Sequence, residues 1–256
     1  MNTNDPIRVM REGAVALIEL NDPPYNRLGM SLFDRLEETV DSLAEDPSVR
    51  ALVVRGAGEL NFSVGADIRV FGVAASQRGI IAFIELRWSV IRRIVTMGKP
   101  VVCAFRGACL GGGLEIALGC HFRVAARGSK IGLPEVELGV VPAWGGTQRL
   151  VRTIGRARAL DIMLRAKKLD ADEALAAGIV SEVCEPEELN ARASALAAEL
   201  AAKAPIAVAG ILEAVVLGGP KSLEEGLGHE YAALERTISS EDMQEGVMAF
   251  LQKRAP

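Results

Sequence analysis

The sequence predicts an α/β fold in which short strands alternate with helices and a helical region follows. Four Val-rich runs, residues 14–20, 51–55, 101–105 and 122–126, have the length and composition of buried strands. Helical periodicity occupies the intervals between the first three runs, and from about residue 147 onward the pattern is almost entirely helical. Strands that alternate with helices form parallel sheets through crossover connections, so we expect a parallel α/β core.

The elements follow in order along the chain. Residues 31–47 form an amphipathic helix between the first two strands, which we expect Ser31 to cap. Its apolar residues fall on one face: Leu32, Leu36, Val40 and Leu43. Residues 79–98 form the next helix, which Gly98 closes before a Lys-Pro pair. The later helical segments are 170–178, 186–205, 220–239 and 240–254.

Composition excludes several classes of protein. The chain has 256 residues, of which 50% are hydrophobic and 24% charged, with a net charge of −4, so it has ample material for a large core. The acidic balance and the 4% aromatic content argue against nucleic-acid binding. The basic segment at residues 149–168 is the one counter-signal, and it fits a solvated helix face or a contact with an anionic ligand.

Location is predicted from what the chain lacks. The first 13 residues have no apolar core of the kind a signal peptide needs, and no apolar run has the length of a membrane span. The cysteines lie in or beside apolar segments without a CxxC pair, which is typical of free thiols in a reducing compartment. These cysteines are Cys103, Cys109, Cys120 and Cys184. We therefore expect a cytoplasmic protein without a membrane partner.

Common catalytic motifs are missing. The sequence contains no GxxxxGK[ST] loop, no GxGxxG after a strand and no GxSxG elbow. Of the two histidines, His229 precedes a glutamate as in HExxH, but residue 233 is alanine, so the second zinc ligand is absent. The sequence predicts no metal site, and the groups left for chemistry are backbone amides and carboxylates.

Two glycine-bearing turns offer such amides, namely residues 61–68 ("NFSVGADI") and 110–118 ("LGGGLEIAL"). The second opens a helix, where free N–H groups and partial positive charge collect. Two amides that converge on one oxygen would polarise a carbonyl and stabilise an enolate. Glu115 lies in the first turn of that helix, and Glu135 follows a proline in an apolar loop. Taken singly, each turn also fits a tight connection, and each glutamate a cap or a surface carboxylate.

Taken together, these segments closely resemble the enoyl-CoA hydratase/isomerase (crotonase) family. The resemblance rests on "NFSVGADI", "GACLGGGLEIALGC" and "LPEVELGVVPAWGGTQRL", and it extends over nearly the whole chain. It implies a crotonase-like spiral of ββα repeats over residues 1–195 and a C-terminal helical trimerisation region over 196–256. It also implies assembly as a homotrimer or a dimer of trimers.

The resemblance further implies a hydro-lyase that acts on an acyl-CoA thioester. Glu115 and Glu135 match the paired catalytic glutamates of the family: Glu115 orients and activates a water, and Glu135 is the chief proton donor to C2. The backbone N–H groups of Ala66 and Gly112 match the oxyanion hole. The segment that meets coenzyme A comprises Ala66, Asp67, Ile68 and Arg69, together with Gly112. No metal or redox cofactor is expected, because coenzyme A is part of the substrate.

Alternatives and departures stay open at this stage. The same fold supports a double-bond isomerase, which needs only one carboxylate, and some crotonase relatives bind RNA. His121 stands where the family commonly has Asp, and we expect it to be structural. Arg27 replaces a small residue, and either solvent or a phosphate of coenzyme A would be its partner. Residues 71–88, which are short of charge, are expected to line an apolar acyl pocket.

Overall fold

In a computed structural model, which describes residues 5–69 and 77–255, eight strands form two sheets. The strands are β1 (Ile7–Glu12), β2 (Val15–Leu20), β3 (Ala51–Gly56), β4 (Val101–Phe105), β5 (Ala108–Leu110), β6 (Phe122–Ala126), β7 (Lys130–Gly132) and β8 (Glu182–Cys184). The larger sheet has the order β1-β2-β3-β4-β6-β8, and β5 pairs with β7 in the smaller one. All pairs are parallel except β1 with β2. The four predicted strands and the parallel core are therefore confirmed.

Ten α-helices, one 3-10 helix and one π-helical turn complete the described chain. The helices are α1 (Met30–Glu45), α2 (Gln77–Thr96), α3 (Gly112–Gly119), the 3-10 helix (Glu135–Leu138), α4 (Gly146–Ile154), α5 (Arg156–Leu164), α6 (Ala171–Ala177), α7 (Leu189–Ala201), α8 (Pro205–Glu213), the π-helical turn (Ala214–Gly218), α9 (Leu223–Ile238) and α10 (Glu241–Leu251). The expected cap at Ser31 is wrong: α1 begins at Met30 after Gly29, without a side-chain cap. Asp170, Ser222 and Ser240 do cap their helices.

The ββα spiral is visible in how consecutive strands change sheet. β4 belongs to the larger sheet, β5 to the smaller one, and α3 follows. β6 and β7 repeat this change, and the 3-10 helix comes next. Because β5 and β7 are neighbours, the segments that follow them, the start of α3 and the 3-10 helix, leave the same edge of the smaller sheet.

Both faces of the larger sheet are covered, which explains why its central strands are mostly apolar. On one face, Leu52 and Val54 of β3 join a core that also contains Leu36 of α1 and Ile91 of α2. On the other face, Val53 packs in a second cluster with α7. That face of α7 consists of small side chains, which let the helix lie close to the strands: Ala193, Ala197 and Ala201.

The boundary predicted after residue 195 falls inside α7, which packs on the sheet through residue 201. The division into a core and a C-terminal region stays a prediction. Among the described residues, no single helix is long and apolar enough to cross a membrane. Two consecutive helical segments, Leu189–Ala201 and Pro205–Gly218, have the length and hydropathy of a membrane span only when taken together, and the chain bends by 104° between them.

Candidate active site

A cavity of about 630 Å³ opens beside the first turn of α3. Its walls are mostly apolar, with Ile84 from α2 and Leu138, Val140 and Val141 from the segment after β7. Five predicted site residues line it together: Ala66, Ile68, Gly112, Glu115 and Glu135. Residue spacing alone does not predict the distance between these segments, and the pairing of β5 with β7 is what brings α3 and Glu135 to the same end of the smaller sheet.

The loop that contains Ala66 is fixed against the glycine turn by backbone hydrogen bonds. The N–H of Ser63 donates to the carbonyl of Ala108 (2.9 Å), and the N–H of Leu110 donates to the carbonyl of Ser63 (3.1 Å). A Cβ on Gly65 would lie 3.0 Å from the carbonyl oxygen of Leu110, a tight contact, so the two segments approach closely here because residue 65 has no side chain. Gly65 also has a φ of +99°, which favours glycine.

The backbone N–H groups next to Ala66 and Gly112 already donate hydrogen bonds within the protein, whereas those of Ala66 and Gly112 do not. Gly65 donates its N–H to Ser63 Oγ (3.1 Å), and Gly111 donates to the carbonyl of Gly132 (3.0 Å). Within the described part of the chain, neither Ala66 nor Gly112 donates a backbone hydrogen bond. Both residues line the cavity. They are therefore free to donate to a ligand oxygen.

Glu115 is almost fully buried, with 2% of its surface exposed. Its Oε1 accepts hydrogen bonds from the backbone N–H groups of Trp144 (2.7 Å) and Gly146 (2.8 Å). Burial raises the pKa of Glu115 to about 7, helped by the charge of Glu135 and opposed by the two amides and by Arg149. The carboxyl group is thus held in one orientation and titrates close to neutral pH.

Glu135 is the first residue of the 3-10 helix after β7, and it lines the same cavity as Glu115. A Cβ on Gly111 would lie 3.4 Å from its Oε1, so this oxygen faces the glycine turn. Its Oε2 is buried without a hydrogen-bond partner within the described residues. Burial raises the pKa of Glu135. An unpartnered carboxyl oxygen at a cavity wall is available to exchange a proton with a ligand.

Only part of the segment expected to meet coenzyme A lines the cavity. Ala66 and Ile68 line the cavity, but Asp67 and Arg69 are not among its lining residues. The guanidinium of Arg69 donates to both carboxylate oxygens of Asp67, at 2.8 and 2.6 Å. Arg69 is exposed, at the rim. Of the expected acyl-pocket segment, residues 71–76 lie outside the described residues, and Ile84 does line the cavity.

The two departures from the family pattern have structural partners. His121 Nδ1 accepts from the N–H of Val101 (3.0 Å), and Nε2 lies 3.2 Å from the carbonyl of Val95, so the ring is neutral and links backbone groups. Burial lowers the pKa of His121. Arg27 forms a two-bond pair with the carboxylate of Asp22.

Sequence reasoning missed the residues that orient Glu115. Trp144 and Gly146 act through backbone N–H groups, which leave no signal in side-chain type. The glycine at 146 was the available clue, since a Cβ there would lie 2.9 Å from Glu115 Oε1. Across the described ranges, no three His, Cys, Asp or Glu side chains are grouped as metal ligands.

The chain is similar to known proteins over nearly its whole length. The model of the enoyl-CoA hydratase/isomerase family matches residues 10–256. The short-chain-enoyl-CoA hydratase of Clostridium acetobutylicum is 36% identical over 245 residues, which cover 95% of this chain and 94% of that one. The crotonyl-CoA hydratase of Syntrophomonas wolfei is 36% identical over 95% of this chain and 94% of its own. The crystal structure of an enoyl-CoA hydratase from Bacillus anthracis has a TM-score of 0.94 at 33% identity and covers 98% of both chains.

Proposed function

The chain belongs to the enoyl-CoA hydratase/isomerase family, and we propose that it adds water across the C2=C3 bond of a 2-enoyl-CoA thioester to give a 3-hydroxyacyl-CoA. One observation carries the proposal: two carboxyl groups with raised pKa values and two unbonded backbone N–H groups line the same cavity. Hydration of an enoyl thioester needs a base for water, an acid for C2 and a stabiliser for the enolate oxygen. This set supplies each of them.

The thioester oxygen accepts hydrogen bonds from the N–H groups of Ala66 and Gly112. As the water oxygen bonds to C3, the π electrons move through C2 to the thioester oxygen, and negative charge develops there. Gly112 begins α3, so the partial positive charge of the helix N-terminus adds to the stabilisation. Because the donors are backbone groups fixed by neighbouring strands, they need little reorganisation during the reaction.

Glu115 takes a proton from the water while its carboxylate is held by the amides of Trp144 and Gly146. Glu135 gives a proton to C2, which converts the enolate back to the thioester. The product gains one hydroxyl group and one proton, so the sum is one water. The proton on Glu115 then returns to Glu135 through solvent in the cavity. The charge of Glu135 raises the pKa of Glu115, so a proton on Glu115 and an ionised Glu135 suit this exchange.

The proposal also covers how the substrate binds, where the enzyme acts and how it assembles. Coenzyme A enters as part of the substrate along Ala66, Asp67, Ile68 and Arg69, and the reaction uses no metal or redox cofactor. The enzyme acts in the cytoplasm, as a homotrimer or a dimer of trimers. The apolar walls of the cavity fit an apolar acyl group.

The test replaces each carboxyl group by its amide. We expect Glu115→Gln and Glu135→Gln each to lower the hydration rate by about 100- to 10,000-fold, the usual contribution of a general acid or base. Both variants should still bind a saturated acyl-CoA. The double variant should lose far less than the product of the two single losses, because both groups act in one reaction coordinate.

Glu85→Gln is the matched control, since Glu85 is exposed on α2 and lies outside the cavity lining. It should hydrate crotonyl-CoA like the wild type. The isomerase alternative predicts another pattern. A wild type that hydrates no 2-enoyl-CoA but isomerises a 3-enoyl-CoA, with activity lost only in Glu135→Gln, would replace the proposal.

A further inference from the structure

Trp144 forms the wall of the cavity behind the glycine turn. It is only 4% exposed, although it lines the cavity, and the edge of its ring system packs on Phe33 of α1, with ring centroids 5.1 Å apart at 73°. A Cβ added to Gly112 would collide with the six-membered ring of the indole. The indole therefore lies directly against Gly112, whose N–H is proposed to hold the thioester oxygen.

The backbone of Trp144 and its side chain have separate roles. The N–H of Trp144 donates to Glu115 Oε1 (2.7 Å), and its carbonyl accepts from Arg149 (2.8 Å). These bonds fix the backbone whatever side chain the residue carries. The indole can thus be shortened without removing a hydrogen bond from Glu115, which makes its effect on the cavity separable from catalysis.

The direction of the substrate places the indole at the acyl end. Ile68 lies on the side where coenzyme A is proposed to enter, and the thioester carbonyl lies between Ala66 and Gly112. Beyond the carbonyl, the acyl chain passes Glu115, and Trp144 is bonded to that carboxylate and seated on Gly112. The indole fills the space between Gly112 and Phe33, and on this path the far end of the acyl chain would meet it.

We infer that the indole of Trp144 closes the acyl end of the cavity and restricts the enzyme to short-chain 2-enoyl thioesters. This inference rests on the proposed function, and it assigns Trp144 as a specificity-determining residue. Removing the indole would extend the cavity to the ring of Phe33, an apolar surface that suits additional methylene groups.

The test measures kcat/KM for crotonyl-CoA and for trans-2-decenoyl-CoA. The wild type should prefer crotonyl-CoA. Trp144→Ala should raise the decenoyl-to-crotonyl ratio by at least about tenfold, since even one methylene group in an apolar pocket changes kcat/KM by roughly that factor. Trp144→Phe should give an intermediate ratio, and it remains informative if Trp144→Ala does not fold.

Trp88→Ala is the control, because the other tryptophan is half-exposed on α2 and lies outside the cavity lining. Its ratio should equal that of the wild type. A direct binding measurement separates specificity from general damage: the affinity for decanoyl-CoA relative to butyryl-CoA, measured by calorimetry, should rise in Trp144→Ala and stay unchanged in Trp88→Ala.

Unchanged ratios in folded Trp144 variants would overturn the inference while leaving the hydratase proposal intact. A wild type that hydrates neither substrate would overturn the hydratase proposal instead, and the affinity ratio, which needs no turnover, would still decide the role of Trp144.

Discussion

At the residue scale, Glu115 combines deep burial with a charge that catalysis needs. It lies on a short helix, α3, whose residues are all buried. The amides of Trp144 and Gly146 compensate only part of the lost hydration, because the pKa of Glu115 still rises to about 7. The ionised carboxylate is thus disfavoured in the folded protein at the pH where the reaction needs it. Functional sites commonly hold groups that reduce stability in this way.

This conflict predicts that Glu115→Gln stabilises the fold at alkaline pH. The folded-state pKa of Glu115, about 7, lies above its ordinary value of 4.5, so between these values the folded protein keeps a proton that the unfolded chain releases. The stability of the wild type therefore falls as pH rises through this window.

Glutamine keeps an acceptor for both amides but carries no charge. Urea unfolding at pH 8 should find the variant more stable by up to about 3 kcal/mol, and this difference should shrink toward pH 5. A variant less stable than the wild type at pH 8 would contradict the burial argument.

Gly112 supplies a second prediction at this scale, because its missing side chain makes room for the Trp144 ring. Gly112→Ala should lower the free energy of unfolding by about 1–3 kcal/mol, the usual cost of overpacking, and should also lower hydration because the amide moves. In a Trp144→Ala background, the same change should cost less than about 1 kcal/mol, since the ring is gone. Thermal unfolding of the four proteins in this cycle measures the coupling. Equal costs in both backgrounds would show that the ring is not the obstacle.

At the scale of elements, His121 ties together three parts of the core. It follows α3, accepts a hydrogen bond from Val101 at the start of β4, and donates to Val95 in the last turn of α2. The N–H of His121 also donates to the carbonyl of Val101 (2.9 Å). These bonds need a neutral ring with one donor and one acceptor, which explains how histidine serves at a position where the family resemblance implies Asp.

His121→Ala should therefore reduce stability without affecting chemistry. Two buried backbone groups would lose their partner, at a cost of about 1–3 kcal/mol, while hydration should stay within a few-fold of the wild type. Burial lowers the pKa of His121 below 6.5, so its contribution is complete above that pH and is lost as pH falls toward the folded-state pKa. The difference in urea midpoint between wild type and variant should be larger at pH 7.5 than at pH 5.5. A large loss of turnover in a stable variant would instead place His121 in the catalytic machinery.

The elements that the sequence predicted are those with a strong local signal. β4 and β6 match the predicted residues, because both are short runs of mostly apolar residues. β5, β7 and β8 escaped prediction, since each has only three residues and is defined by its pairing partner. β1 lies at the edge of the sheet and is half-exposed and charged, so its composition does not predict a strand.

The site was predictable only as far as side-chain chemistry and family resemblance reach. Glu115 and Glu135 carry visible chemistry, and the glycine turns mark where the backbone must approach something. The cavity depends on the pairing of β5 with β7 and on a tryptophan ring seated on a glycine. Both are contacts between segments distant in the chain, which no local pattern encodes.

At the scale of the whole molecule, the C-terminal helices leave large apolar side chains exposed. On α9 these are Leu223, Leu227, Tyr231 and Leu234, and on α10 they are Met243, Val247, Phe250 and Leu251. Phe250 is 83% exposed and Leu223 81%, far more than a stable monomer normally leaves on one region of its surface. Because both helices carry such a face, further copies of the chain arranged in a closed ring can bury these side chains.

We therefore expect a trimer or a hexamer in solution, with a mass by light scattering that is three or six times the 27.2 kDa of one chain. Leu227→Glu combined with Leu234→Glu should shift the protein to monomers, because charges in an apolar interface lose their hydration without a partner. Leu60→Glu is the control: Leu60 is 64% exposed but lies outside the C-terminal helices, so its variant should assemble like the wild type. A single 27.2 kDa species for the wild type at micromolar concentration, or unchanged assembly of the double variant, would locate the contact surface elsewhere or exclude it.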